Sequence, residues 1–250
     1  MERTHSREQS APIQEPAPVL AAFEAGVAAI CLLAAQFDDA SWGIQTPLPE
    51  WRAFELAGHL RCYADDLHEY LDEAPVSRYA RLMATGAHPD TLRRKLTRQH
   101  AAELAALADA PPDEHIAAFA DSARNYAARV GAVWDLPHHQ YRERVVTVGG
   151  MAGGAAAQWH LHAFDLAHAL SRDYIPADPG AVLAGWQAGM PHLPIGTGMP
   201  GAKAVRHLDP WHAVLAASGR LARAGQDDAV VPSWLLRAVW PARLRLRRKG

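Results

Sequence analysis

Two helical faces hold the side chains with which this chain could do chemistry. Stepped at about 100° per residue, His59, Tyr63 and Asp66 fall on one side of a helix, at i, i+4 and i+7. Leu56 and Leu60 lie beside them, so His59 is expected to point inward. In the run Gln158–His168, the residues Gln158, His162 and Asp165 lie within about 60° of one another. His160, two positions from His162 and so about 200° away, must face elsewhere. Gln158 and His162 form an i, i+4 pair, the spacing by which one helix offers two ligands to one ion, and His59 on a facing helix is the natural third. Two imidazoles and one amide oxygen would leave positions open for water or substrate, as in a catalytic rather than a structural zinc site. The same residues also make a hydrogen-bonded polar patch without an ion, since an amide brings no charge to offset that of a divalent cation. The spacing supports both readings.

The other candidates are weaker. The chain has 14 histidines, too many for all to be functional. His5, His88, His138 and His139 read as solvated loop residues. The run Gly149-Gly150-Met151-Ala152-Gly153-Gly154 precedes a helix, but it lacks the lysine and the strand of a phosphate-binding loop and reads as a flexible connector. There is no Gly-x-Ser-x-Gly elbow. The two cysteines, Cys31 and Cys62, lie in apolar stretches and read as buried, inert thiols with no disulfide framework.

These faces need helices to hold them, and the sequence supplies them. Residues 1–18 have the composition of a disordered leader, and 19–37 is Ala/Leu-rich without an internal proline. The prolines of Gln45–Pro49 force an extended crossing before a helix over 51–73. Helices follow over 91–110 and 113–134, then one β-like run, Arg142–Val148, and the helix 155–170. Gly180–Met190, Asp209–Ala224 and Pro232–Arg248 are further helical segments. The reading is an all-α, up-and-down bundle over 19–175, with a helical C-terminal appendage over 176–250 packed on it and at most a short two-stranded ribbon.

A net charge of −2 neither attracts nor repels nucleic acid, apart from a basic tail around Arg243–Lys249 that reads as a solvated end. There is no apolar signal segment, and no stretch reaches the roughly 20 apolar residues of a membrane span. The cytoplasm is the default. A small molecule, rather than nucleic acid or membrane, is the expected partner, and the oligomeric state is not legible.

Three ordered blocks resemble a known family. Ser41-Trp42, Thr46-Pro47-Leu48-Pro49-Glu50-Trp51 and Leu56-Ala57-Gly58-His59-Leu60 are similar to the opening of the mycothiol-dependent maleylpyruvate isomerase family of the DinB-like superfamily, with His59 eight residues after Trp51. Gln158, His162, Asp165, Leu166 and Ala169 fall on a second block, and Asp209–Arg220 on a closing one. The resemblance implies a DinB-like four-helix bundle holding a divalent metal, usually zinc, between its second and fourth helices. It implies His59, His162 and residue 158 as ligands, and a low-molecular-weight thiol as cofactor or co-substrate. The family usually carries Glu or Asp where this chain has Gln158.

The leading expectation is therefore a metal-dependent enzyme acting on a small molecule, an isomerase or a thiol transferase, with Tyr63 and Asp165 supporting the pocket. A rival keeps the pocket and the histidines but works without an ion, by acid–base catalysis on an apolar metabolite. A second rival binds its ligand without turnover.

Overall fold

A computed structural model describes residues 15–49, 51–190 and 208–220. The chain is mostly helical, with eight helices and one two-stranded antiparallel ribbon among the described residues. The helices are α1 (Pro16–Ala34), α2 (Ala53–Asp72), α3 (Arg78–Ala84), α4 (Pro89–Ala106), α5 (Pro112–Val130), α6 (Val148–Ala169), α7 (Pro179–Gly189) and α8 (Pro210–Ala217). The strands are β1 (Pro137–Tyr141) and β2 (Arg144–Thr147).

Local chemistry sets the boundaries. Prolines occupy the first turns of α1, α5, α7 and α8, where their missing N–H costs nothing. Asp209 caps α8 by accepting from the N–H groups of Trp211 and His212, and Thr147 caps α6 by accepting from Gly150. The Arg52 N–H donates to Glu55, which closes the start of α2. Just upstream, the Trp51 carbonyl accepts from both Thr46 Oγ1 and Gln45 Nε2 at 2.7 Å. The proline-rich crossing is thus tied down, and Trp51 with it.

The bundle consists of α1, α2, α5 and α6, with α1 packed on α6 and α5, and α2 on α5. Phe23, Ile30, Leu56, Leu60, Leu67, Phe119 and Trp159 fill its core. On its other side α6 packs against α7 and α8 around Leu161, Val182, Trp186 and Trp211. Every residue of α6 except Gln158 and His168 is buried, which explains why this helix shows so little amphipathic pattern.

Several expectations are corrected. The run Gly149–Gly154 is no flexible connector but part of the first turns of α6, which begins at Val148. A Cβ on Gly185 would come 2.4 Å from the Gly153 carbonyl oxygen, and one on Gly189 would come 2.4 Å from that of Gly150. The glycines let α6 and α7 meet backbone to backbone, so they are there for packing. His138 and His139 are buried, not solvated. An irregularity between Pro137 and His139 breaks the alternation of β1, so consecutive residues turn inward against Tyr79 on α3. Cys62 is buried, but Cys31 is only half-buried; burial raises both thiols, Cys62 to about 11, so both are inert as nucleophiles. Finally, α1 is by length and composition apolar enough to cross a membrane. In this fold its Val19, Phe23, Val27 and Ile30 are buried in the bundle core. The leader expected over 1–18 is too long at its end, because α1 already begins at Pro16; its first 14 residues, the helix proposed over 232–248 and the basic tail lie outside the described residues.

Candidate functional site

The 3.6-residue period of α2 and the burial of α6 bring two histidines together, their rings edge to face. The ring centroids of His59 and His162 are 5.2 Å apart, and each residue is no more than 5% exposed. Trp51 stacks on His59 with centroids 4.1 Å apart, and the Tyr63 ring lies on the same side of α2 at 6.1 Å. The tied-down crossing thus serves as one wall of the site. His160 points away as its phase requires, bonding the Ala22 carbonyl of α1 and the Tyr174 hydroxyl.

His162 is held from behind. Its Nδ1 lies 3.1 Å from Asp165 Oδ2, and Asp165 in turn accepts from Arg220 Nε at 2.8 Å and from an Arg220 terminal nitrogen at 2.7 Å. All three side chains are buried. With Nδ1 engaged by a carboxylate, the ring is fixed in orientation and Nε2 is the nitrogen left to act. Burial alone would raise the Asp165 carboxyl, but the Arg220 guanidinium and the bonds from His162 and Arg220 outweigh it and hold Asp165 below the usual carboxylate range.

His59 has no such support. Its Nδ1 is buried without a hydrogen-bond partner among the described residues. Burial, then electrostatic repulsion from the neighbouring His100, His162 and Arg220, pushes its pKa well below the ordinary histidine value. Burial lowers His162 too, against the pull of Asp165. Both rings are therefore neutral near pH 7, the form in which imidazole binds a metal or accepts a proton. Burial raises the Tyr63 hydroxyl far above its ordinary value, so it stays protonated.

A third ring stands beside the pair. His100, from α4, has its centroid 4.6 Å from that of His59. Its Nε2 lies 3.7 Å from Asp66 Oδ2, and the Arg78 guanidinium pairs with the other oxygen of Asp66. Asp66 also accepts from the Tyr70 hydroxyl at 2.7 Å. Asp66, His100 and Glu103 bring one ligand atom each within 4.8 Å of one another, a group that can hold a divalent metal. Arg78 also pairs with Glu69 and Glu103, both at 3.1 Å, so its charge already offsets much of the acidity there.

Among the residues expected from sequence, then, His59, Tyr63 and His162 come together, and Asp165 backs His162. Gln158 sits one turn before His162 and is only half-buried. His100, Arg220 and the wall made by Trp51 were not singled out as parts of the site. The one available signal for His100 was its place on the inward stripe of α4, below Leu92 and Leu96. A separate open cleft of about 510 Å³, lined by Trp42, Arg52, Phe54 and Glu55 among others, lies near the start of α2 and does not include the histidines.

Residues 23–167 match the family described as mycothiol maleylpyruvate isomerase N-terminal domain. No curated protein and no solved structure matches the chain. The matched region includes His59, His100, Gln158, His162 and Asp165, and stops well before Arg220.

Proposed function

The chain belongs to the mycothiol maleylpyruvate isomerase N-terminal domain family, and from that premise we propose that it is a metal-dependent enzyme acting on a small molecule with the help of a low-molecular-weight thiol, as an isomerase or a thiol transferase. The observation that carries this reading is the buried, neutral pair His59 and His162, with the Nδ1 of His59 unpartnered and that of His162 held by a carboxylate. A buried polar atom without a partner is costly, about 1–3 kcal/mol, unless something supplies one, and a divalent ion would do so.

His59 and His162 would hold the ion, with Gln158 a neutral and weaker neighbour. When bound, a zinc ion supplies Lewis acidity and favours the thiolate form of a thiol. The chain's own residues do the rest. Asp165, clamped by Arg220, keeps the His162 ring in one tautomer and one orientation. The Trp51 indole covers His59 and limits water on that side, and Tyr63 presents a protonated hydroxyl on the same helix face. Neither cysteine can stand in for the thiol, because burial keeps both protonated.

Gln158 supports a second reading, in which the pocket works without an ion by acid–base chemistry of the neutral histidines. Metal analysis of untagged protein, followed by exhaustive chelation and assay with maleylpyruvate and mycothiol, separates the two. The metal reading expects near-stoichiometric zinc and a turnover lost on chelation and restored by zinc. Turnover and thermal stability unchanged by chelation would sink it in favour of the ion-free enzyme.

A further inference from the structure

We infer that α2 and α4 form a divalent-metal site of their own, with Asp66, His100 and Glu103 as its protein ligands and zinc(II) or a similar transition-metal ion as its occupant. It lies outside the ligand set proposed above and stands or falls independently of it.

Helix spacing sets up the donors. His100 and Glu103 are three positions apart on α4, neighbours on one face, and Asp66 meets them from α2. One donor atom from each lies within 4.8 Å of the other two, and no other three acidic, thiol or imidazole groups come so close among the described residues. His100 Nε2 stands 3.7 Å from Asp66 Oδ2. That is too long for a hydrogen bond, but near the separation of about 3.0–3.5 Å between two ligands that share one ion at about 2.1 Å. A small inward movement of either side chain closes the site.

The surrounding side chains leave the ligand atoms to an ion. Arg78 engages Asp66 through Oδ1 and Glu103 through Oε1. The other Glu103 oxygen, Oε2, is buried with no hydrogen-bond partner among the described residues. A buried carboxylate oxygen without a donor is costly, and a bound cation removes that cost. Asp66 Oδ2 accepts from the Tyr70 hydroxyl at 2.7 Å and, at 3.2 Å, from Gln99 Nε2, which also donates to Glu103 Oε1 at 3.0 Å. An ion on Oδ2 takes the place of the longer bond, while the bond to Glu103 keeps Gln99 as an outer support. Charge agrees with geometry. Asp66, Glu69 and Glu103 set three carboxylates against the one guanidinium of Arg78, an excess of two negative charges that a divalent ion would balance. Two carboxylates and an imidazole suit zinc, cobalt or manganese better than magnesium or calcium, which take oxygen ligands.

The test is zinc(II) binding to metal-stripped, untagged full-length protein by equilibrium dialysis. His162→Ala serves as the background, since it removes half of the other histidine pair and leaves His59 and His100 in place. Circular dichroism checks the fold of each variant. In that background about one zinc per chain should still bind. Adding Glu103→Gln, His100→Ala or Asp66→Asn should weaken it by at least about 100-fold, beyond the 10–100-fold that loss of an outer partner costs. Gln158→Ala should change it less than about 5-fold, because Gln158 is no ligand of this ion. Glu103→Gln decides the matter even if Asp66→Asn does not fold, because it keeps the shape of a side chain that is 27% exposed. Tight binding retained by His162→Ala with Glu103→Gln overturns the inference. So does a wild type that binds one zinc and a His162→Ala protein that binds none, an outcome that leaves the proposed function standing. One zinc in wild type and His162→Ala alike, lost with Glu103→Gln, bears the inference out and overturns the His59–His162 ligand set. Wild-type protein that binds no zinc overturns both.

Discussion

Two buried histidine clusters sit in this fold, and they are built on opposite principles. In the first, His59, His100 and His162 stand together with carboxylates behind two of the rings and an arginine behind each carboxylate. In the second, His138 and His139 of β1 bond to each other, Nδ1 to Nδ1 at 2.9 Å, and pack edge-on against Tyr79. Burial depresses the basicity of His59 and His162 in the first and of His138 in the second. What differs is the charge arranged around them. The His138–His139 pair satisfies part of its hydrogen bonding internally and is surrounded by tyrosines, which suits a core. Each cluster leaves a buried ring nitrogen unpartnered among the described residues, on His59 in the first and on His138 in the second, but the first also ranges fixed charges behind its rings, which suits a site. Burial of a histidine is thus a poor guide to function, while the groups behind it are a good one.

The largest effect expected from breaking this contrast is at Arg220. Asp165 is fully buried, and its charge is carried by Arg220 and His162. Arg220→Ala leaves that carboxylate without its cation, and removal of one partner from a buried pair costs about 3–5 kcal/mol. Urea unfolding at pH 7 should show a loss of that size. Arg220→Lys keeps the charge but cannot reproduce the two-pronged contact, so it should fall between wild type and alanine. A loss below about 1 kcal/mol for the alanine variant would mean that the relay is solvated and that His162 is not held as described.

The second effect distinguishes the other cluster by pH. Burial lowers His138 to about 4 from its ordinary 6.5. Between those values the unfolded chain binds a proton at this site and the folded chain does not. The stability owed to neutral His138 is therefore whole above about pH 6.5 and is lost as pH falls toward 4. The difference between pH 7 and pH 5 should be about 2 kcal/mol from this residue. Chemical denaturation across that range checks it, with His138→Phe as the comparison. The phenylalanine variant should show a shallower acid loss, by about one proton, whatever its absolute stability. Equal slopes in the two proteins would show that His138 is protonated in the folded state.

How far these clusters were legible from sequence follows from the range of the interactions. The helix period was enough to put His59, Tyr63 and Asp66 on one face, to pair His162 with Asp165, and to turn His160 away from them, though not to say that it meets α1. Those are local geometries. His100 and Arg220 reach the site from 41 and 58 positions away from His59 and His162 respectively, and no spacing rule reports such contacts. The burial of His138 and His139 depends on a strand irregularity, and that of Gly149–Gly154 on the approach of α7, so both were misread as loop from composition alone. The short helix α3, which delivers Arg78 to Asp66, left no periodic pattern long enough to notice.

The smallest effect is at the residue that joins the two clusters. Tyr70 donates to Asp66 Oδ2 at 2.7 Å, and its ring meets that of His138 edge-on at 6.3 Å. Tyr70→Phe keeps the ring and removes only the hydroxyl. Asp66 retains Arg78, and Gln99 Nε2 still donates to the same oxygen at 3.2 Å, so no buried charge is left bare. The expected cost is therefore that of one hydrogen bond with partial replacement, about 1 kcal/mol. The acid loss assigned to His138 should not move, because burial alone depresses that ring and Asp66 plays no part in it. If the clusters are independent, the Tyr70→Phe and His138→Phe costs add within about 0.5 kcal/mol, even though the rings touch. A larger coupling, or a shifted acid limb in Tyr70→Phe, would mean that the charge on Asp66 reaches His138 through the tyrosine, and the two clusters would then be one network.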